Sequence, residues 1–193
     1  MNQHNSSQNI SSRDNLADSS LTGASARSSK DEQEPPRFRI LVANEQQTLA
    51  VDEASLDAAV RSVLDASNYT SGMISIAVVD DPTIQAINRQ FLQHDYPTDV
   101  LSFVLEDDDS HLEGELVVSG DTAVENAQDY GWPAGDELML YVLHGCLHLV
   151  GHRDEEPAEQ AAMHRAELEQ LRRLGITLPR DQSRWLPQAS KIL

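Results

Sequence analysis

Apolar residues recur along this chain with two periods, and each change of period marks out an element. Residues 38–43 (F-R-I-L-V-A) form a short run with aromatic and β-branched members and predict a strand. In 55–64, Leu56, Ala59, Val60, Val63 and Leu64 fall at helical spacing. Residues 73–79 (M-I-S-I-A-V-V) predict a second strand, closed by Asp80-Asp81-Pro82. Asp81 before Pro82 predicts an N-cap with proline opening the next helix, which carries Ile84, Ile87, Phe91 and Leu92. The Tyr96-Pro97 step ends that helix, and residues 100–105 predict a third strand. The acids of 106–109 then suggest a hairpin or long turn, and 114–119 (G-E-L-V-V-S) a fourth strand.

Helical patterns follow at 121–130, are broken at Trp132-Pro133, and resume at 136–150 and at 155–174, the last ending at Gly175. Helices and strands are interspersed without a repeat. The expected class is α+β, a small mixed four-stranded sheet layered with helices.

Outside this region the pattern fades. Residues 1–36 are rich in Ser, Asn, Gln and Asp, with almost no large apolar side chains. Such a segment cannot bury enough surface to offset its ordering entropy, so a disordered polar tail is expected there. The domain is expected over 37–176, and an irregular C-terminal tail over 177–193. Nothing near the start has the apolar core of a secretory signal, and acids interrupt what would otherwise suit a transit peptide. No run approaches the length of a membrane span. The lone cysteine, Cys146, rules out an internal disulfide, and the cytoplasm is the expected compartment.

Charge narrows the functional classes. The formal net charge is -18, and residues 1–36 account for only about -2 of it. Broad affinity for nucleic acid depends on Lys and Arg neutralising phosphates, so the balance counts against it. A local basic strip remains open to Arg37, Arg39, Arg61, Arg89, Arg172, Arg173, Arg180 and Arg184. Most of the acids are expected to form a solvated surface.

The densest chemistry lies in 143–155, L-H-G-C-L-H-L-V-G-H-R-D-E. His144 and His148 stand four residues apart, so on a helix both imidazoles face one point. Gly151 suits the left-handed turn that ends a helix and sends the chain back. If the helix ran on instead, His144, His148 and His152 would spread over roughly 12 Å at about 1.5 Å per residue. Three donors so placed cannot meet at one ion. The chain must turn, and the third donor is His152 or Asp154. Two histidines at i and i+4, a glycine at i+7 and a ligand at i+10 resemble the metzincin pattern, which favours Asp154. In metallopeptidases with H-E-x-x-H, the residue after the first histidine is a glutamate that acts as base; here it is Gly145, and a peptidase reading loses that base. Cys146, two residues from His144, points off the shared face and is expected in the core. His4, His94, His111 and His164 lack such partners and are expected to be ordinary surface or loop residues, and Trp132 and Trp185 are expected to serve packing.

Three stretches taken together resemble one family. I-N-R-Q-F-L-Q-H-D-Y-P-T-D-V-L-S-F, then E-G-E-L-V-V-S, then H-G-C-L-H-L-V-G-H-R-D are similar to the YbeY endoribonucleases, the rRNA maturation factors of bacteria, across about residues 38–175. The resemblance implies a small α+β domain with one Zn2+ per chain. It implies a single-strand-specific endoribonuclease acting in 16S rRNA 3′-end maturation and ribosome quality control, with the 16S precursor and the small subunit as partners. It places the metal on His144, His148 and Asp154.

Two positions depart from the family pattern. Asp154 stands where the family usually has histidine, a change that keeps a metal site but makes it a harder one. Leu92 stands where the family has an arginine thought to contact RNA; Arg89, three residues earlier on the same helical face, is the substitute proposed for substrate binding. The residues name no catalytic base. Thr98 and Asp99 are expected to order the turn into the third strand. A metal-dependent endoribonuclease is thus the leading class. A ribosome-assembly factor with a structural metal is the second, and a peptidase or other hydrolase the third.

Overall fold

The structure, a computed structural model, describes residues 37–179 and 182–185. The polar segment 1–36 lies outside them, as does most of the stretch after Pro179. The chain runs β1 (Phe38–Asn44), α1 (Glu53–Asp65), β2 (Ser71–Val79), α2 (Asp81–Leu92), β3 (Val100–Asp108), β4 (His111–Ser119), α3 (Gly120–Tyr130), α4 (Ala134–Leu149) and α5 (Pro157–Arg173), and a single 3-10 turn follows at Ser183–Trp185.

The four strands form one mixed sheet in the order β1-β2-β4-β3, with β1, β2 and β4 parallel and β3 antiparallel to β4. This is the α+β layering that the periodicity predicts. Side chains alternate across the sheet, as the two-residue period of a strand requires. Ile74, Ile76, Val78, Leu112, Leu116 and Val118 face the main core, shared with α1, α4 and α5. Val79, Leu101 and Val117 face the opposite way and meet Ile84 of α2 in a smaller core. The metal motif therefore belongs to one face of the sheet and α2 to the other.

α4 is the central rod. From Leu138 to Leu143 every residue is buried, as are Cys146, Leu147 and Leu149. A helix apolar on nearly all sides needs neighbours all round, and α4 packs on α1, α3, α5, β3 and β4. Gly145 permits a close approach to the sheet. A Cβ there would stand 2.8 Å from Val100 Cγ2 and 2.9 Å from both Leu116 Cδ2 and Ser102 Oγ.

Most boundaries shift by a few residues from the sequence reading, and three of the differences have a specific local reason. The cap of α2 is Asp80, not Asp81: Asp80 Oδ1 accepts from the Thr83 N–H at 3.0 Å. Asp81 instead opens the helix and accepts from the hydroxyls of Ser119 and Thr122, tying α2 to the junction of β4 and α3. The acids of 106–109 are not mainly a loop. β3 continues through Asp108 after a bulge between Val104 and Glu106, and β4 starts at His111. As an outer strand β3 leaves these acids in water, so no apolar alternation signals it. Finally, the stretch expected to be irregular after residue 177 contains the 3-10 turn, and its Trp185 is buried.

Candidate metal centre

Helical geometry brings His144 and His148 together on the exposed side of α4, with their Nε2 atoms 3.0 Å apart. The helix then stops as its glycine demands. Gly151 takes φ +95, its N–H bonds to the His148 carbonyl at 3.0 Å, and the His152 N–H bonds to the Leu147 carbonyl at 2.9 Å. These two bonds are the Schellman closure of a helix C-terminus. The reversed chain delivers Asp154, whose Oδ2 lies 3.7 Å from each histidine Nε2.

These separations test whether a metal fits. The three donors form a triangle with a 3.0 Å base and two 3.7 Å sides, and the point equidistant from them lies about 2.0 Å from each. Zinc–nitrogen and zinc–oxygen contacts are about 2.0–2.2 Å. Three donors on one ion leave a fourth position, and Asp154, with 41% of its side chain exposed, stands on the solvent side.

Each imidazole is held from behind, at Nδ1. His144 Nδ1 lies 2.7 Å from Glu167 Oε1 on α5, and His148 Nδ1 lies 3.0 Å from the backbone carbonyl of His152. A proton on Nδ1 in both rings satisfies these acceptors and turns the Nε2 lone pairs toward Asp154. His152 thus serves the cluster through its backbone. Its ring is not part of the converging group formed by His144, His148 and Asp154.

Electrostatics follow the same partners. Burial alone would lower the pKa of His144, but the Glu167 hydrogen bond and charge, with Asp99 and Asp154 nearby, hold it above the ordinary value. Burial would conversely raise Glu167, and His144 with Trp185 more than offsets it, so the carboxyl stays below the usual range.

Beside His144 opens a polar cleft of about 240 Å³, lined among others by Asp99, Asn126, Tyr130 and His164. Asp99 Oδ1 accepts from Thr98 Oγ1 and from the Val100 N–H, both at 2.9 Å, and so orders the start of β3. Cys146 is wholly buried, and burial pushes its thiol up to about 12.

Arg89 lies elsewhere. It sits in the last turn of α2, on the opposite face of the sheet from α4, and pairs with Asp95 at 3.7 Å. The structure does not bring it to the three metal-binding candidates. The arginines proposed for a basic strip are largely paired too: Arg37 with Asp65, Arg61 with Asp57, Arg173 with Glu169 and Arg184 with Glu137.

Comparison with known proteins decides the family. The family model described as endoribonuclease YbeY matches residues 41–175. The chain belongs to the YbeY family. An endoribonuclease YbeY from Rhodopirellula baltica is 52% identical over 110 residues, covering 56% of this chain and 57% of that protein. One from Carboxydothermus hydrogenoformans is 39% identical over 138 residues, 70% of this chain and 96% of the relative. The solution structure of TM1509 from Thermotoga maritima superposes with a TM-score of 0.52 at 26% identity, covering 71% of this chain and 88% of that one. The fold and the family resemblance read from the motifs both hold.

The sequence reading missed Glu167 and the residues behind it. A signal was present: Met163, Glu167, Gln170 and Leu171 form the buried stripe of α5, so a carboxylate stands where the helical period calls for an apolar side chain. A buried acid in such a stripe needs a partner, and the partner is His144.

Proposed function

We propose that this chain is a zinc-dependent, single-strand-specific endoribonuclease of the cytoplasm, acting in 16S rRNA 3′-end maturation and ribosome quality control on the small subunit. Residues 37–176 form the catalytic domain in this reading. The observation that supports it most is the convergence of His144, His148 and Asp154 on a point about 2.0 Å from each donor. In a family of endoribonucleases, such a three-donor site facing solvent is where the phosphodiester would be cut.

A bound zinc supplies Lewis acidity and lowers the pKa of a coordinated water. The protein's own part is positional. His144 and His148 present Nε2 because Glu167 and the His152 carbonyl hold Nδ1, and Asp154 balances charge while leaving one side open. A peptidase-type base is sterically excluded, since even a Cβ at residue 145 would crowd Val100, Leu116 and Ser102. Arg89 is retained as the candidate RNA contact, and it would have to release Asp95 to serve. Loss of RNA cleavage in Arg89→Ala supports that role, and unchanged activity removes it.

The test is cleavage of a 16S 3′-end precursor by zinc-loaded protein, with His148→Ala prepared identically. Activity confined to the parent supports the nuclease. Equal activity in both indicates a contaminant. A second reading, a non-catalytic assembly factor with a structural metal, draws on the net charge of -18 and the paired arginines. It predicts metal-dependent stability without turnover, including on intact small subunits.

A further inference from the structure

The turn Ser183–Trp185 lies beyond the family-matched residues 41–175, yet it reaches the back of the metal centre. The indole N–H of Trp185 donates to Glu167 Oε2 at 2.8 Å, while Glu167 Oε1 lies 2.7 Å from His144 Nδ1. The neighbouring Arg184 engages both oxygens of Glu137, at 3.0 Å to Oε2 and 2.8 Å to Oε1. Glu137 is wholly buried on α4, two turns before His144, and also accepts from the Trp132 indole. The Arg184 guanidinium lies over the Tyr130 ring, 3.5 Å from its centroid, and Trp132 meets Trp185 edge to face. Two adjacent residues of one turn thus supply donors to two buried carboxylates, one on each helix flanking the site.

We infer that Arg184 and Trp185 form a clamp that positions His144 for metal binding, acting through Glu167. The inference rests on the metal reading above. The terminal torsion of a glutamate is broad and twofold, so a carboxylate with one partner can swivel. Trp185 occupies Oε2 and leaves Oε1 for the Nδ1–H of His144. That fixes the tautomer in which Nε2 carries the lone pair. Arg184 anchors the turn by its two bonds to a carboxylate that burial would otherwise penalise. Trp185 and Arg184 are positioning residues.

The experiment uses the full chain and measures Zn2+ affinity by competition with a chromophoric chelator, alongside apo-protein melting and the Co2+ absorption spectrum. Outer partners of metal-bound histidines typically matter by about 10–100-fold in affinity, so Glu167→Gln is expected in that range and Trp185→Phe near roughly 10-fold. The double variant is expected to bind no more weakly than Glu167→Gln alone, because Trp185 acts through that residue. Replacing Trp185 by benzothienylalanine keeps the ring shape and removes only the N–H, and it is expected to weaken zinc and shift the cobalt spectrum while melting like the parent. Parent-like zinc affinity in the benzothienylalanine protein, or additive losses in the double variant, overturns the clamp. If the parent takes up no zinc at all, the metal reading falls with it. A parent that binds zinc beside an unaffected donor-free variant overturns the clamp alone.

Discussion

Gly145 and Gly151 show how much of the site depends on absent side chains. At residue 145 the missing Cβ lets α4 lie against β3 and β4. Gly145→Ala forces contacts below 3.0 Å with Val100, Leu116 and Ser102, an overpacking expected to cost about 1–3 kcal/mol in urea unfolding. At residue 151 space is free and the backbone is the constraint, since φ is +95. Gly151→Ala is expected to lose about 1–2 kcal/mol and to weaken zinc binding, because the turn it strains carries Asp154; isothermal titration reads the second effect. Cys146 is the opposite case, a reactive residue type made inert. Its thiol is buried and pushed up to about 12, so a thiol reagent at neutral pH is expected to label the native protein far more slowly than the urea-unfolded one. Equal labelling rates would contradict its placement. The turn at Gly151 was legible in the sequence, whereas Gly145 read only as the lack of a base, and its contact with the sheet depends on residues far away in the chain.

Among the elements, α4 was the easiest to read and is the most consequential. Its apolar continuity, its histidine spacing and its terminal glycine are all local signals, and local signals survive into the structure. Leu143 of this helix is wholly buried, and Leu143→Ala is expected to cost about 2–5 kcal/mol, measurable as a lowered urea midpoint. The second half of β3 was harder, because an outer strand carrying Glu106, Asp107 and Asp108 leaves no apolar alternation to detect. The α2 cap was displaced by one residue because two successive aspartates offered the same chemistry and only the Thr83 N–H chose between them. That cap has a pH signature. Hydrogen bonds from Thr83 hold the Asp80 carboxyl below its ordinary 3.8. A carboxyl lowered in the folded state contributes stability above its unfolded pKa and loses it as pH falls through the folded one. Asp80→Asn keeps an acceptor but not the titration, so its stability is expected to fall less than the parent's on acidification below 3.8. Thermal melts across that range read the difference.

For the whole molecule, layering and family were legible, and the support behind the site was not. A sheet with helices on both faces follows from periods that change along the chain. The three motif stretches are specific enough to place 41–175 in the YbeY family. What stayed hidden is contact between distant residues: Glu167 with Trp185, 18 apart, and Glu137 with Arg184, 47 apart. No periodicity links such pairs. The sequence favoured Asp154 over His152 beside the histidines, with no view of how the turn is closed. The Schellman bonds at Gly151 turn the His152 backbone, not its ring, toward His148. Among the described residues no helix is long and apolar enough to cross a membrane.

In the proposed function, one metal held by His144, His148 and Asp154 makes this chain a nuclease. The most direct measurement titrates metal-stripped protein with Zn2+ while following cleavage of a single-stranded RNA that spans the 16S 3′ end. The expected result is no cleavage before zinc, a rise proportional to bound metal, a plateau at one equivalent, and none of these in His148→Ala. Cleavage by the stripped protein, or by His148→Ala at the parent's rate, would contradict it.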